Sequence, residues 1–202
     1  MFLPYQPAPE VVRSWQMERT DCPYSYPETG MIHGEPPQGY FVNQRRIRLG
    51  YGEQVFATAC EAFRRWRMFP SWLATVGYPD SPIEEGQVLA VIARFGFLRW
   101  VNFCRILSLV EETGPVRKWG FVYGTLREHA LKGEERFQIE MYPDGAVWYD
   151  LLAYARPHHV LSWVGYPLAR VLQKKFAASS IRSMMLATTE LDISKTFLSG
   201  VG

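Results

Sequence analysis

Residues 116–157 read VRKWGFVYGTLREHALKGEERFQIEMYPDGAVWYDLLAYARP, and they decide the fold. Side chains on a strand alternate between the two faces of a sheet. Trp119, Phe121, Tyr123 and Thr125 then share one face, with Gly120, Val122, Gly124 and Leu126 on the other. From Glu135 onward, Phe137, Ile139 and Met141 alternate with Arg136, Gln138 and Glu140, which describes a half-buried strand. Pro143-Asp144-Gly145 makes a tight turn, because Pro presets φ and Gly accepts the positive φ of a chain reversal. Val147 to Ala155 is apolar on both faces apart from Asp150, so this strand belongs inside a sheet rather than at its edge. Three antiparallel strands, joined by one longer loop and one turn, form the floor of the domain.

A chain of 202 residues is long enough for one self-sufficient core. It is 48% hydrophobic and 15% aromatic, and its net charge is +2. A charge that small gives no field to attract nucleic acid or an anionic membrane. Cys22, Cys60 and Cys104 are widely spaced and odd in number, which indicates neither a disulfide framework nor a zinc site. The opening MFLPYQPAPE has no basic segment followed by an apolar one, so the expected location is the cytoplasm. Arg94, Arg105 and Asp150 interrupt the most apolar strands, well short of a membrane span. No G-x-S-x-G, H-E-x-x-H or glycine-rich phosphate loop is present, and no metal or cofactor is expected.

Upstream, residues 1–39 hold seven of the fourteen prolines. That density argues against a long helix or a central strand. The stretch reads as an extended arm, packed on the body or partly mobile, and Tyr5, Trp15, Tyr24 and Tyr26 favour packing over free disorder. Tyr40–Leu49 is a strand, and its Arg45, Arg46 and Arg48 read as a solvated edge rather than a phosphate-binding patch. After Gly50-Tyr51-Gly52, Glu53–Met68 is a helix with Val55, Phe56, Ala59, Cys60, Phe63 and Trp66 along one stripe. Pro70-Ser71-Trp72-Leu73 is expected to start a short second helix. Gln87–Gly96 and Val101–Glu112 are two more strands. Beyond Pro157, Gly165 and Pro167 imply a short helix followed by a long one, or a kinked helix. Leu168, Val171, Leu172 and Phe176 form its expected buried stripe, and Arg170, Lys174 and Lys175 face away. From Thr188 onward the periodicity fades into a tail.

This order of elements is α+β, an antiparallel sheet with one face covered by helices. It resembles the helix-grip fold of the START and polyketide-cyclase superfamily. YGEQVFATACEAFRRWRM (51–68), GFVYGTLREHALKGEERFQIEM (120–141) and ARPHHVLSWVGYPLARVLQKKF (155–176) more specifically resemble a family known as a domain of unknown function, number nineteen-ninety. The resemblance covers about the last three-quarters of the chain, and the proline-rich first 39 residues depart from its pattern. It implies a curved sheet of about six or seven strands wrapped around a long C-terminal helix. The organisation is then an arm at 1–39, a helix-grip domain at 40–185 and a tail at 186–202.

A gap between such a sheet and its helix is where small ligands sit. The residues expected to line it are Tyr123, Thr125, His129, Glu135, Trp66, Trp72 and Trp119. The loop at 126–135 is expected to border its entrance as a lid, with His129 as anchor and Gly133 as hinge. Glu134 and Glu135 point to opposite faces and make no paired-carboxylate site, and Glu134 reads as solvated or paired with an arginine. His158 and His159 are adjacent, a poor spacing for one metal. Gly124 allows close approach of a packed ring. Three readings stay open: a module that binds a small lipid-like or aromatic molecule, an enzyme of cyclase or hydrolase type using Tyr123, His129 or Glu135, and a structural or interaction protein whose gap is filled by its own tryptophans. The oligomeric state is not legible.

Overall fold

The meander forms as its alternation predicts. A computed structural model describes residues 1–129, 131–158 and 166–199, with residues 95, 166–169 and 190–199 described as backbone alone. Its elements are β1 (Phe2–Leu3), α1 (Pro9–Met17), β2 (Phe41–Tyr51), α2 (Glu53–Arg64), β3 (Ala74–Val76), β4 (Val88–Phe95), β5 (Leu98–Glu112), β6 (Arg117–Thr125), β7 (Leu131–Met141), β8 (Ala146–Pro157) and α3 (Tyr166–Ser199). The strands pair in the order β2-β8-β7-β6-β5-β4-β3, and β1 pairs with the first residues of β5, ahead of the part that pairs with β6. Every pairing is antiparallel. β8 lies between β2 and β7, as a strand that is apolar on both faces must. With α3 packed against α2 and β2, this is the helix-grip arrangement.

Four local differences from the sequence reading have physical causes. α2 ends at Arg64 rather than Met68, because Trp66 turns into the left-handed region at φ 54°. The Arg67 amide there reaches back to the Ala62 carbonyl at 2.9 Å. Pro70–Leu73 is a single turn, not a helix: the Leu73 and Ala74 amides both return to the Pro70 carbonyl, and Ala74–Val76 then joins the edge of β4. β7 starts at Leu131, so Gly133 and Glu134 lie inside a strand and Gly133 is not a lid hinge. A Cβ at Gly133 would meet the Tyr154 carbonyl oxygen at 1.8 Å, at a φ of +149°. α3 continues helical to Ser199, past the Thr188 at which the periodicity fades. Its buried stripe is Ala177, Ser180, Met184 and Ala187, whereas Val171 is 60% exposed. Leu168, like His159, falls outside the described side chains.

The inner face of the sheet is filled by rings. Phe121 and Phe137 stack at 5.3 Å, Trp66 meets Phe121 edge-on at 5.5 Å, and Phe63 meets Tyr149 edge-on at 5.7 Å. Phe69 bridges from Phe137 to Phe176 of α3. Such pairs add about 0.5–1.5 kcal/mol each beyond their burial. The Tyr149 hydroxyl and Ser180 Oγ, 2.7 Å apart, tie β8 to α3.

The outer face has a second cover, the proline-rich arm. Val12 and Trp15 of α1 pack over Val88, Ala90, Ile92 and Phe103, while Tyr26, Met31 and Ile32 pack over Val110, Val122, Leu152 and Tyr154. Gly124 makes this possible, since a Cβ there would meet Tyr26 Oη at 2.1 Å and the Tyr24 ring at 2.9 Å. Polar clamps fix the arm. Arg105 donates to the carbonyls of Arg19 and Cys22 at 3.0 and 2.7 Å, and Gln16 Nε2 donates to Val88 O at 2.6 Å.

Candidate functional site

Glu134 and Glu135 show how one strand serves two faces. Glu134 is 2% exposed and faces the arm rather than solvent or an arginine. Its carboxylate accepts from the Tyr26 hydroxyl at 2.9 Å, the Gly30 amide at 2.6 Å and the Ile32 amide at 2.9 Å. Burial, followed by the Glu134 charge, pushes the Tyr26 phenol far up, so it stays a donor. Three donors on one buried carboxylate make a structural latch.

Glu135 faces inward and keeps partial contact with solvent. Its hydrogen-bond partner is the Tyr123 hydroxyl, which donates to Oε2 across the β6–β7 pair. No cation reaches it among the described residues. Burial therefore pushes its carboxyl up to about 7, with the Tyr123 hydrogen bond pulling the other way. The Tyr123 phenol is raised by burial and then by the Glu135 charge. The buried Cys104 thiol is raised by the same two causes. A carboxyl poised near neutrality beside a phenol can hold or exchange a proton with a bound molecule.

Register pairing places this pair in a cross-strand row: Asn43, Ala153, Glu135, Tyr123 and Ile106, from β2 to β5. One row toward the rings stand Leu151, Phe137 and Phe121, and one row away stand Phe41 and Ala155. The sheet floor thus steps down from large rings to small residues. Above Ala153, a recess of about 20 Å³ opens between β2 and α3, bordered by Phe41, Asn43, Arg170, Gln173 and Lys174. At rest that is room for about one water. The seam beside it is tied by Asn43 Nδ2 donating to Gln173 O at a long 3.4 Å.

The other expected site residues are not gathered here. Thr125 is held by Ser25 Oγ at 2.6 Å and accepts the Gly133 amide at 2.9 Å. His129 Nδ1 accepts the Leu131 amide at 3.0 Å, and burial pulls its pKa down to about 4, so the ring is neutral and that nitrogen is occupied. Its carbonyl meets His158 Nδ1 at 2.9 Å. The loop does border a recess of about 300 Å³, but that one opens between Arg127, His158 and the arm, outside the grip. Trp66 sits in the ring core with Nε1 donating to Ser81 O at 3.1 Å. Trp72 is 53% exposed under Lys175. Trp119 packs on Phe63 beneath Arg64, toward the far end of β6. Asn43, Ala153, Arg170 and Lys174 were missed by sequence reasoning; the alternation of β2 and β8 was the signal for the first two.

Among the described residues no group of three or more His, Cys, Asp or Glu is placed to hold a metal. No helix there is long and apolar enough to cross a membrane.

Comparison with known proteins agrees with this architecture. The model of a domain of unknown function (DUF1990) matches residues 25–183, so its span includes the latched half of the arm. A "UPF0548 protein" of Dictyostelium discoideum is 36% identical over 158 residues, 72% of each chain. A "UPF0548 protein" of Deinococcus radiodurans is 32% identical over 198 residues, 93% of this chain and 98% of that one. The crystal structure of a hypothetical protein from Helicobacter pylori superposes with a TM-score of 0.53 at 9% identity, covering 81% of this chain and 94% of that chain. At that identity the likeness speaks for the fold alone.

Proposed function

The chain belongs to the family described as a domain of unknown function, DUF1990, and we propose that it binds a small hydrophobic molecule at the small-residue end of the grip, oriented by Tyr123 and Glu135. One observation carries this reading. Glu135 is a partly buried carboxyl whose hydrogen-bond partner among the described residues is a single phenol. Burying such a group is costly, and a ligand donor placed against it recovers part of that cost. The floor at this end presents only the methyl groups of Ala153 and Ala155, whereas Phe121 and Phe137 fill the middle. Entry requires α3 to part from β2 along the seam held by Asn43.

A catalytic reading draws on the same pair: a carboxyl near neutrality with a phenol in hydrogen-bond contact is equipped for proton transfer. The filled-interior reading draws on the ring stack over the centre of the sheet. A cytoplasmic setting fits three free thiols.

Native mass spectrometry of freshly purified protein tests the binding reading. The expected result is a non-covalent adduct of a few hundred daltons that is released on denaturation and absent from Ala153→Leu. Wild type at its bare mass, together with failure of a neutral fluorescent apolar probe to saturate at one site, would overturn it.

A further inference from the structure

The binding reading leaves the ligand's polarity open, and the mouth of the recess supplies it. Arg170 and Lys174 lie one helical turn apart on α3, and both border the recess above Ala153. Arg170 stands 4.7 Å over the Phe41 ring, which holds its guanidinium at the rim. Among the described residues neither cation has a carboxylate partner, whereas Arg46 pairs with Glu140, Arg136 with Asp150 and Arg156 with Glu28. Two strand spacings separate Asn43 at the rim from Glu135 inside, a reach of roughly 10 Å. The residue between them is Ala153, with Ala155 and Phe41 one row away, all apolar.

We propose, on the footing of that binding reading, that the ligand is a compact apolar anion. Its acid group is held by Arg170 and Lys174 at the mouth, and its apolar body spans Ala153 to meet the Tyr123–Glu135 pair. The two cations are far enough from Glu135 for an acid group at the rim to avoid contact with that carboxyl. The rim also discriminates: a neutral molecule of the same shape gains the apolar floor and leaves both cations in water, and a cationic one is repelled.

Paired fluorescence titrations test this on the full chain, with anilinonaphthalene sulfonate as the apolar anion and N-phenylnaphthylamine as its neutral counterpart. The expected result is one saturable site for each probe in the wild type, with the anion bound more tightly. Arg170→Gln combined with Lys174→Gln should weaken the anion about tenfold, the scale of a charge-assisted contact in a partly desolvated site. The neutral probe should be unaffected. Arg182→Gln, roughly 18 Å further along the helix, should change neither. Unchanged affinity for the anion in the double variant, with the neutral probe still saturating at one site, would overturn the anionic assignment and leave the binding reading standing. Failure of both probes to saturate in the wild type would overturn both.

Discussion

Glu134 and Glu135 differ by one position and by everything that surrounds them. Alternation alone sends them to opposite faces, and that much was legible in the sequence. What each meets there was not, because the donors to Glu134 lie at Tyr26, Gly30 and Ile32, about a hundred residues upstream. Glu134→Ala removes the acceptor and strands two backbone amides against the sheet, so the expected loss is roughly 3 kcal/mol. Chemical denaturation measures the loss, and hydrogen exchange should speed up at Gly30 and Ile32 in particular. Unchanged exchange at those two amides would refute the latch. Glu135 makes a pH prediction of opposite character. Its folded-state pKa of about 7 lies above the ordinary 4.5, so between those values the folded chain binds more protons than the unfolded one. Stability from this group is therefore present below about pH 4.5 and lost as pH rises through about 7. Glu135→Gln stays neutral throughout, so it should melt higher than wild type near pH 8 and lose that advantage near pH 4.5. An advantage of equal size at both pH values would show that charge at Glu135 is not the cause.

At the level of elements, period-two alternation identified the meander and placed β8 inside the sheet, because a strand buried on both faces writes its central position into its own composition. The helices were harder. The reading of α3 followed its large apolar side chains, yet the buried stripe is Ala177, Ser180, Met184 and Ala187. Small residues let the helix approach α2 and the sheet, and Ser180 is satisfied by Tyr149, a partner no helical period reveals. The end of α2 was misplaced because Trp66 leaves the helix to enter the ring core at a positive φ, against its own preference. β3 is too short to register as a pattern and exists because β4 offers it an edge. The corrected register of α3 makes a paired prediction. Phe176→Asp places a charge against Phe69 and should cost about 2–3 kcal/mol. Val171→Asp, on the exposed side of the same helix, should stay within about 0.5 kcal/mol of wild type. Equal losses from the two in thermal melts would put the helix in the other register.

The whole molecule is a sheet with two covers, and the two compete as explanations of its composition. A chain with large apolar side chains on both faces of its strands needs something on each side. On the inner face that is α2, α3 and the ring stack; on the outer face it is the proline-rich arm. Val12, Tyr26, Met31 and Ile32 of the arm are buried. At roughly 2 kcal/mol each their burial approaches the whole net stability of a typical domain. The arm is then part of the fold, although its prolines disguise it as a mobile segment. Any apolar probe that binds the protein must therefore be shown to occupy the grip rather than a space vacated by the arm. Gly124→Ala makes that distinction without deleting anything, because the new methyl group collides with Tyr26 Oη and the Tyr24 ring and lifts residues 24–26 off the sheet. The expected outcome is faster proteolysis within residues 20–34, with the affinity and stoichiometry of N-phenylnaphthylamine unchanged. If instead the wild type binds no probe and Gly124→Ala gains a site, the probe has replaced the arm on the outer face. The ligand reading of the grip would then fall, and the aromatic richness of the chain would be explained by its two covers alone.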